Sequence, residues 1–100
     1  MSRKLPTFDA TLGPEVHQLT DLGLIVRNRR ASDGLRIDDA ASLSGVSSDV
    51  LSRLENGKSI TTDKLMHVLD ALGLKVLVLG KEQAMRWSKP ESIKTADESS

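Results

Sequence analysis

Gly45-Val-Ser-Ser-Asp-Val-Leu-Ser-Arg-Leu-Glu-Asn-Gly-Lys58 decides the fold. The stretch reads as a tight turn, a short helix with one apolar and one polar face, and an abrupt stop. On a helix Val50, Leu51 and Leu54 fall together at spacings of three and four, so they can seat the helix on a core. Ser48, Asp49, Ser52 and Arg53 then project the other way. Small hydroxyls and one arginine on an outward stripe suit the edges of bases in a major groove, where donors and acceptors differ for each pair. An ordinary amphipathic surface helix would carry the same residues, and the flanking sequence decides between the two.

Upstream, Leu35-Arg-Ile-Asp-Asp-Ala-Ala-Ser-Leu-Ser44 fits a helix with Ala40, Ala41 and Leu43 inside, joined to the next through Gly45-Val46-Ser47. Small residues let two helices approach closely. Helix-turn-helix units join two helices steeply through a short turn that often contains glycine, and Gly45 sits where that glycine belongs. Ser47 can cap the second helix by accepting from N–H groups that its first turn leaves unpaired. Asp38 and Asp39 favour the positive end of the first.

With these residues in view, Leu35 to Leu74 resembles the Cro/C1 repressor family, also called the Xre family, of five-helix DNA-binding domains. The resemblance is carried by Ala41, Gly45-Val46-Ser47, Leu51-Ser52-Arg53-Leu54-Glu55-Asn56-Gly57-Lys58 and Ala71-Leu72-Gly73. It implies an all-α, five-helix lambda-repressor-like fold and a function in binding duplex DNA.

Composition favours a small binding module over an enzyme. One hundred residues allow one compact domain with a modest core. Without cysteine there is neither a disulfide framework nor a thiolate metal site. The longest apolar run, Val76 to Leu79, is far short of a membrane span, and Met1-Ser-Arg-Lys leads into no signal-peptide stretch, so a cytoplasmic location without membrane contact is expected. Fourteen basic and 14 acidic side chains give zero net charge, unusual for a protein that relies on phosphate attraction. Affinity should therefore lean on dimer geometry or local basic clusters.

Along the chain, residues 1–13 read as an N-terminal arm and residues 14–74 as the helix-turn-helix domain. Gly13-Pro14-Glu15 is expected to open the first helix, since proline is preorganised for the first helical position. Val16, Leu19, Leu22, Ile25 and Val26 would form its apolar stripe. Residues 58–62 read as a polar loop. Asp63 to Leu72 return to helical spacing through Leu65, Met66, Leu69 and Leu72, and Gly73 supplies the C-terminal position.

Residues 75–80, after Leu74, read as a short strand, apolar on both faces and ending at Gly80. No second convincing strand exists in the sequence, and an unpaired strand leaves N–H and C=O groups without partners. Pairing of Lys75, Val76, Leu77, Val78 and Leu79 with the same residues of a second copy would give a two-fold homodimer. The alternatives are a continuation of the last helix or pairing with the arm near Phe8. A helix-turn-helix domain followed at once by such a strand resembles the HipB-type antitoxins. That resemblance implies an operon-repressing dimer whose protein partner is a HipA-like serine/threonine kinase toxin.

The family's recognition contacts fall on Ser47, Ser48, Asp49, Ser52 and Arg53. Arg53 can bond O6 and N7 of guanine together or meet phosphate. Asp49 can accept from cytosine N4, orient Arg53 one turn on, or stay solvated; the orienting role is preferred, since side chains four apart on a helix are neighbours. Phosphate contacts are implied for Arg36, Asn56, Lys58 and Ser59, which fix register without reading sequence. Many phage members carry a glutamine early in the second helix, where this chain has Arg36 and Ile37, so their bridge between phosphate and recognition helix is missing. Arg30 and Glu55 occupy positions where phage members form a structural salt bridge.

Catalytic readings fare badly. His17 and His67 lie far apart and outside any metal-ligand pattern, no glycine-rich phosphate loop appears, and no cofactor motif is present. Residues 81–100 read as a polar C-terminal tail with a mobile end. Trp87, the only tryptophan, is either a partner anchor or packs on the dimer strand. Three functions compete: a DNA-binding antitoxin, a stand-alone regulator, and an interaction adaptor that has lost DNA binding.

Overall fold

Four of the five described helices form where apolar residues recur at helical spacing. The computed structural model of the chain describes residues 7–87. Its helices are α1 (Leu19–Ser32), α2 (Ile37–Ser44), α3 (Ser48–Glu55), α4 (Thr62–Ala71) and α5 (Lys81–Trp87). Val26 of α1, Ala40 and Ala41 of α2, Leu51 and Leu54 of α3, and Val68 and Leu69 of α4 form the buried core with Leu72. Leu22, Leu35, Ile37, Val46, Ile60, Leu65 and Leu74 pack around it. Burying each large aliphatic side chain contributes about 1.5–3 kcal/mol, so the core rests on a few leucines and valines rather than on aromatics.

Two glycines set the angles between helices. Gly45 follows α2 with φ +72°, a left-handed conformation that reverses the chain into α3 within Gly45-Val46-Ser47. Gly23 lets α1 lie directly on the end of α3, where a Cβ would stand 2.8 Å from the Glu55 carbonyl oxygen.

Four sequence expectations need correction. α1 opens at Leu19 rather than at Pro14, because the Asp21 carboxylate accepts the N–H groups of His17 and Gln18 and fixes the start there. Val16 and Leu19 are therefore exposed rather than part of the core stripe. Leu43, expected inside α2, is 61% exposed, since the close α2–α3 contact runs through Ala40 and Ala41. Lys81–Trp87, read as the start of a polar tail, is helical, though none of its residues is buried. The expected mobile end, residues 88–100, lies outside the described residues, as do residues 1–6 of the expected arm.

The described part of the arm is tied down. Asn28 of α1 brackets the Asp9 peptide, its Oδ1 accepting from Asp9 N–H at 2.5 Å and its Nδ2 donating to Asp9 O at 3.0 Å. The Thr11 hydroxyl and N–H donate to the Asp9 carboxylate and hold it below the usual carboxylate range.

Residues 74–80 form neither helix nor strand within the single chain. Neither a helical continuation nor pairing with the arm occurs among the described residues. Val76, Leu77 and Val78 stand 50%, 63% and 91% exposed, so the segment is not buried within one chain. No described helix is long and apolar enough to cross a membrane.

Candidate nucleic-acid interface

The polar stripe on α3 is held from its first residue. Ser47 is the N-cap, with extended backbone, and its Oγ accepts from Val50 N–H at 3.1 Å. Leu51 and Leu54, 0% and 2% exposed, fix the helix to the core, which turns Asp49 and Arg53 to solvent and leaves Ser48 and Ser52 half-buried. All four outward residues named from the sequence thus share one face, beside the cap.

Ser48 and Arg53 are further constrained. Ser48 Oγ donates to Asp38 Oδ1 of α2 at 3.1 Å. Sequence reasoning gave Asp38 only a role at the α2 N-terminus, since nothing in a ten-residue separation shows that the helix crossing brings the two first turns together. Arg53 Nη2 donates to Ser59 O at 3.1 Å, so the loop after α3 orients the guanidinium. Asp49 does not: its carboxylate makes no hydrogen bond or ion pair among the described residues. A backbone carbonyl within reach takes the place of the expected carboxylate partner.

The phosphate-contact candidates cluster around the same helix. Arg36, the N-cap of α2, is exposed and makes no ion pair among the described residues. Asn56 Nδ2 donates to Ser52 O at 2.8 Å and approaches Ser52 Oγ at 3.4 Å, engaging the amide with its own helix. Lys58 N–H donates to Arg53 O at 2.8 Å, which leaves the Lys58 ammonium, not its backbone, for phosphate. Ser59 is exposed. Cations at Arg36, Arg53, Lys58 and Lys64 are interleaved with carboxylates at Asp38, Asp39, Asp49 and Asp63, so the α2–α4 stretch lacks a strong single-sign field.

Behind the stripe, Arg30 and Glu55 meet in a buried, two-fold hydrogen-bonded pair, joining α1 to the last residue of α3. Arg30 Nη1 also donates to Leu35 O at 3.0 Å, which reaches the entry to α2. This pair holds the end of α3 and faces away from solvent. His17 and His67 are exposed, and the charged partner of His17 is Glu15 at 3.1 Å.

Nothing among the curated proteins matches the chain. The crystal structure of the clp gene regulator ClgR from C. glutamicum is similar, with 35% sequence identity, a TM-score of 0.53, and coverage of 61% of this chain and 80% of ClgR. The family model described as "Helix-turn-helix domain" matches residues 21–77, from the capping aspartate of α1 to Leu77. The chain belongs to the helix-turn-helix domain family.

Proposed function

We propose that this chain is a sequence-specific transcriptional repressor that reads an inverted-repeat operator as a homodimer. The observation that carries the reading is α3: a capped helix whose apolar face is locked into the core while Ser48, Asp49, Ser52 and Arg53 form its opposite face. Ser47, Ser48, Asp49, Ser52 and Arg53 read bases, and Arg36, Asn56, Lys58 and Ser59 grip phosphate. The likeness to ClgR, a gene regulator, supports a regulatory role.

Dimerisation runs through Lys75, Val76, Leu77, Val78 and Leu79. One chain leaves this apolar segment at the surface, and an antiparallel ladder with a second copy would satisfy its backbone and cover its side chains. Two recognition helices would then enter successive major grooves about 34–36 Å apart. In the division of labour proposed here, residues 14–74 bind DNA and residues 75–80 dimerise.

A domain followed at once by such a segment supports the finer reading of a HipB-like antitoxin, cytoplasmic, with a HipA-like kinase toxin as its protein partner. Trp87, 53% exposed on α5, is the proposed anchor for that partner. The ClgR likeness favours a stand-alone regulator as the second reading. Titration of the purified protein against a fluorescent duplex of its own upstream region, at two salt concentrations with a scrambled duplex as control, tests the shared core of both. Tight, selective, salt-sensitive binding supports the repressor; absence of selectivity overturns it in favour of an adaptor. Co-purification of a kinase from the native host separates antitoxin from stand-alone regulator.

A further inference from the structure

Asp38 and Ser48 meet where the first turns of α2 and α3 come together, and the Ser48 hydroxyl is the donor. An ionised carboxylate only accepts, whereas a serine hydroxyl holds one proton and two lone pairs. With its proton directed at Asp38, Ser48 has only lone pairs left to offer a ligand. Asp49, the next residue, is exposed and likewise offers only lone pairs. Ser47 has the reverse polarity: its oxygen accepts from Val50 N–H, which leaves its O–H directed elsewhere.

In a major groove the donors are the amino groups at adenine N6 and cytosine N4, while guanine and thymine present N7, O6 and O4 acceptors. We infer that Asp38 is a specificity-determining positioning residue. By holding the Ser48 proton, it makes the Ser48 and Asp49 side chains an acceptor-only pair that selects adenine or cytosine at the bases facing them. The inference rests on α3 being the base-reading helix. A free serine rotor could donate or accept and would read both kinds of base; the Asp38 contact removes that ambiguity. It also gives a purpose to a carboxylate that phosphate attraction alone would disfavour.

The test is selection from a pool of DNA duplexes randomised over one half-site, sequenced after binding to the full chain and to Asp38→Asn, Ser48→Ala and the double variant. An amide at position 38 can donate or accept, so it no longer fixes the hydroxyl. The wild type should favour adenine or cytosine over guanine and thymine by roughly fivefold at two adjacent positions, the scale of one net hydrogen bond. Asp38→Asn should flatten that preference at one of them, Ser48→Ala should flatten it at the same one, and the double variant should add nothing further. Asp38→Ala replaces Asp38→Asn if the latter fails to melt cooperatively by circular dichroism.

A uniform rise in affinity on Asp38→Asn, with base preference intact, would show that the residue acts by charge alone and overturn the inference. Enrichment of guanine or thymine at both positions by the wild type overturns it equally. A pool that yields no selected sequence removes the base-reading role of α3 itself, and this outcome is distinguishable from the others.

Discussion

The Arg30 guanidinium meets the Glu55 carboxylate side-on: Nε donates to Oε2 at 2.7 Å and Nη2 to Oε1 at 2.8 Å, with the two side chains 7% and 4% exposed. Two parallel charge-assisted bonds fix the end of α3 in angle as well as distance. Arg27 Nε stands 3.9 Å from Glu55 Oε1 but is half-exposed and adds little.

Removing one partner of this pair strands a buried charge, at a cost of about 3–5 kcal/mol. Arg30→Ala should therefore lower the Tm by at least about 12 °C, read by circular dichroism. DNA affinity should fall only as a consequence of the loosened end of α3. Lost binding at unaltered Tm would instead mean that Arg30 touches phosphate.

Gly23→Ala places a methyl group against the carbonyl oxygens of Leu54 and Glu55. Backbone cannot rotate away as a side chain can, so α1 and α3 must separate. Destabilisation of about 1–3 kcal/mol is expected from urea unfolding. A neutral result would mean that the two helices slide apart freely.

Lys58→Ala and Arg36→Ala should weaken binding to all duplexes alike. Each should reduce the slope of log K against log salt by about one per protomer, without changing base preference. A preference altered at one base pair would reassign that residue to base reading.

Val78→Lys sets a charge where the single chain has 91% exposure, so the isolated fold should be untouched. Sedimentation equilibrium should show a dimer for the wild type and a monomer for the variant. Operator affinity should fall with the loss of paired half-sites. A dimeric variant would place the interface elsewhere on the chain.

If the proposed kinase is the partner, deletion of residues 82–100 should spare operator binding and weaken binding to that kinase. The emission of Trp87, half-exposed on α5, should shift to the blue on adding that kinase. Equal kinase affinity for the truncated protein would remove the anchor.

The sequence by itself determined the helices from α2 to α4, the turn between α2 and α3, the cap at Ser47, and the outward stripe of α3. These follow from local rules: apolar spacing, glycine at a reversal, a hydroxyl before a helix. The Arg30–Glu55 pairing was legible only through family resemblance, since 25 residues separate the two. Other features emerge only once the helices pack. The tertiary structure placed Asp38 against Ser48, gave Arg53 to Ser59 rather than to Asp49, and left Leu43 in solvent. Each outcome depends on how helices cross or a loop folds back on its helix, an approach that no periodicity along one helix encodes.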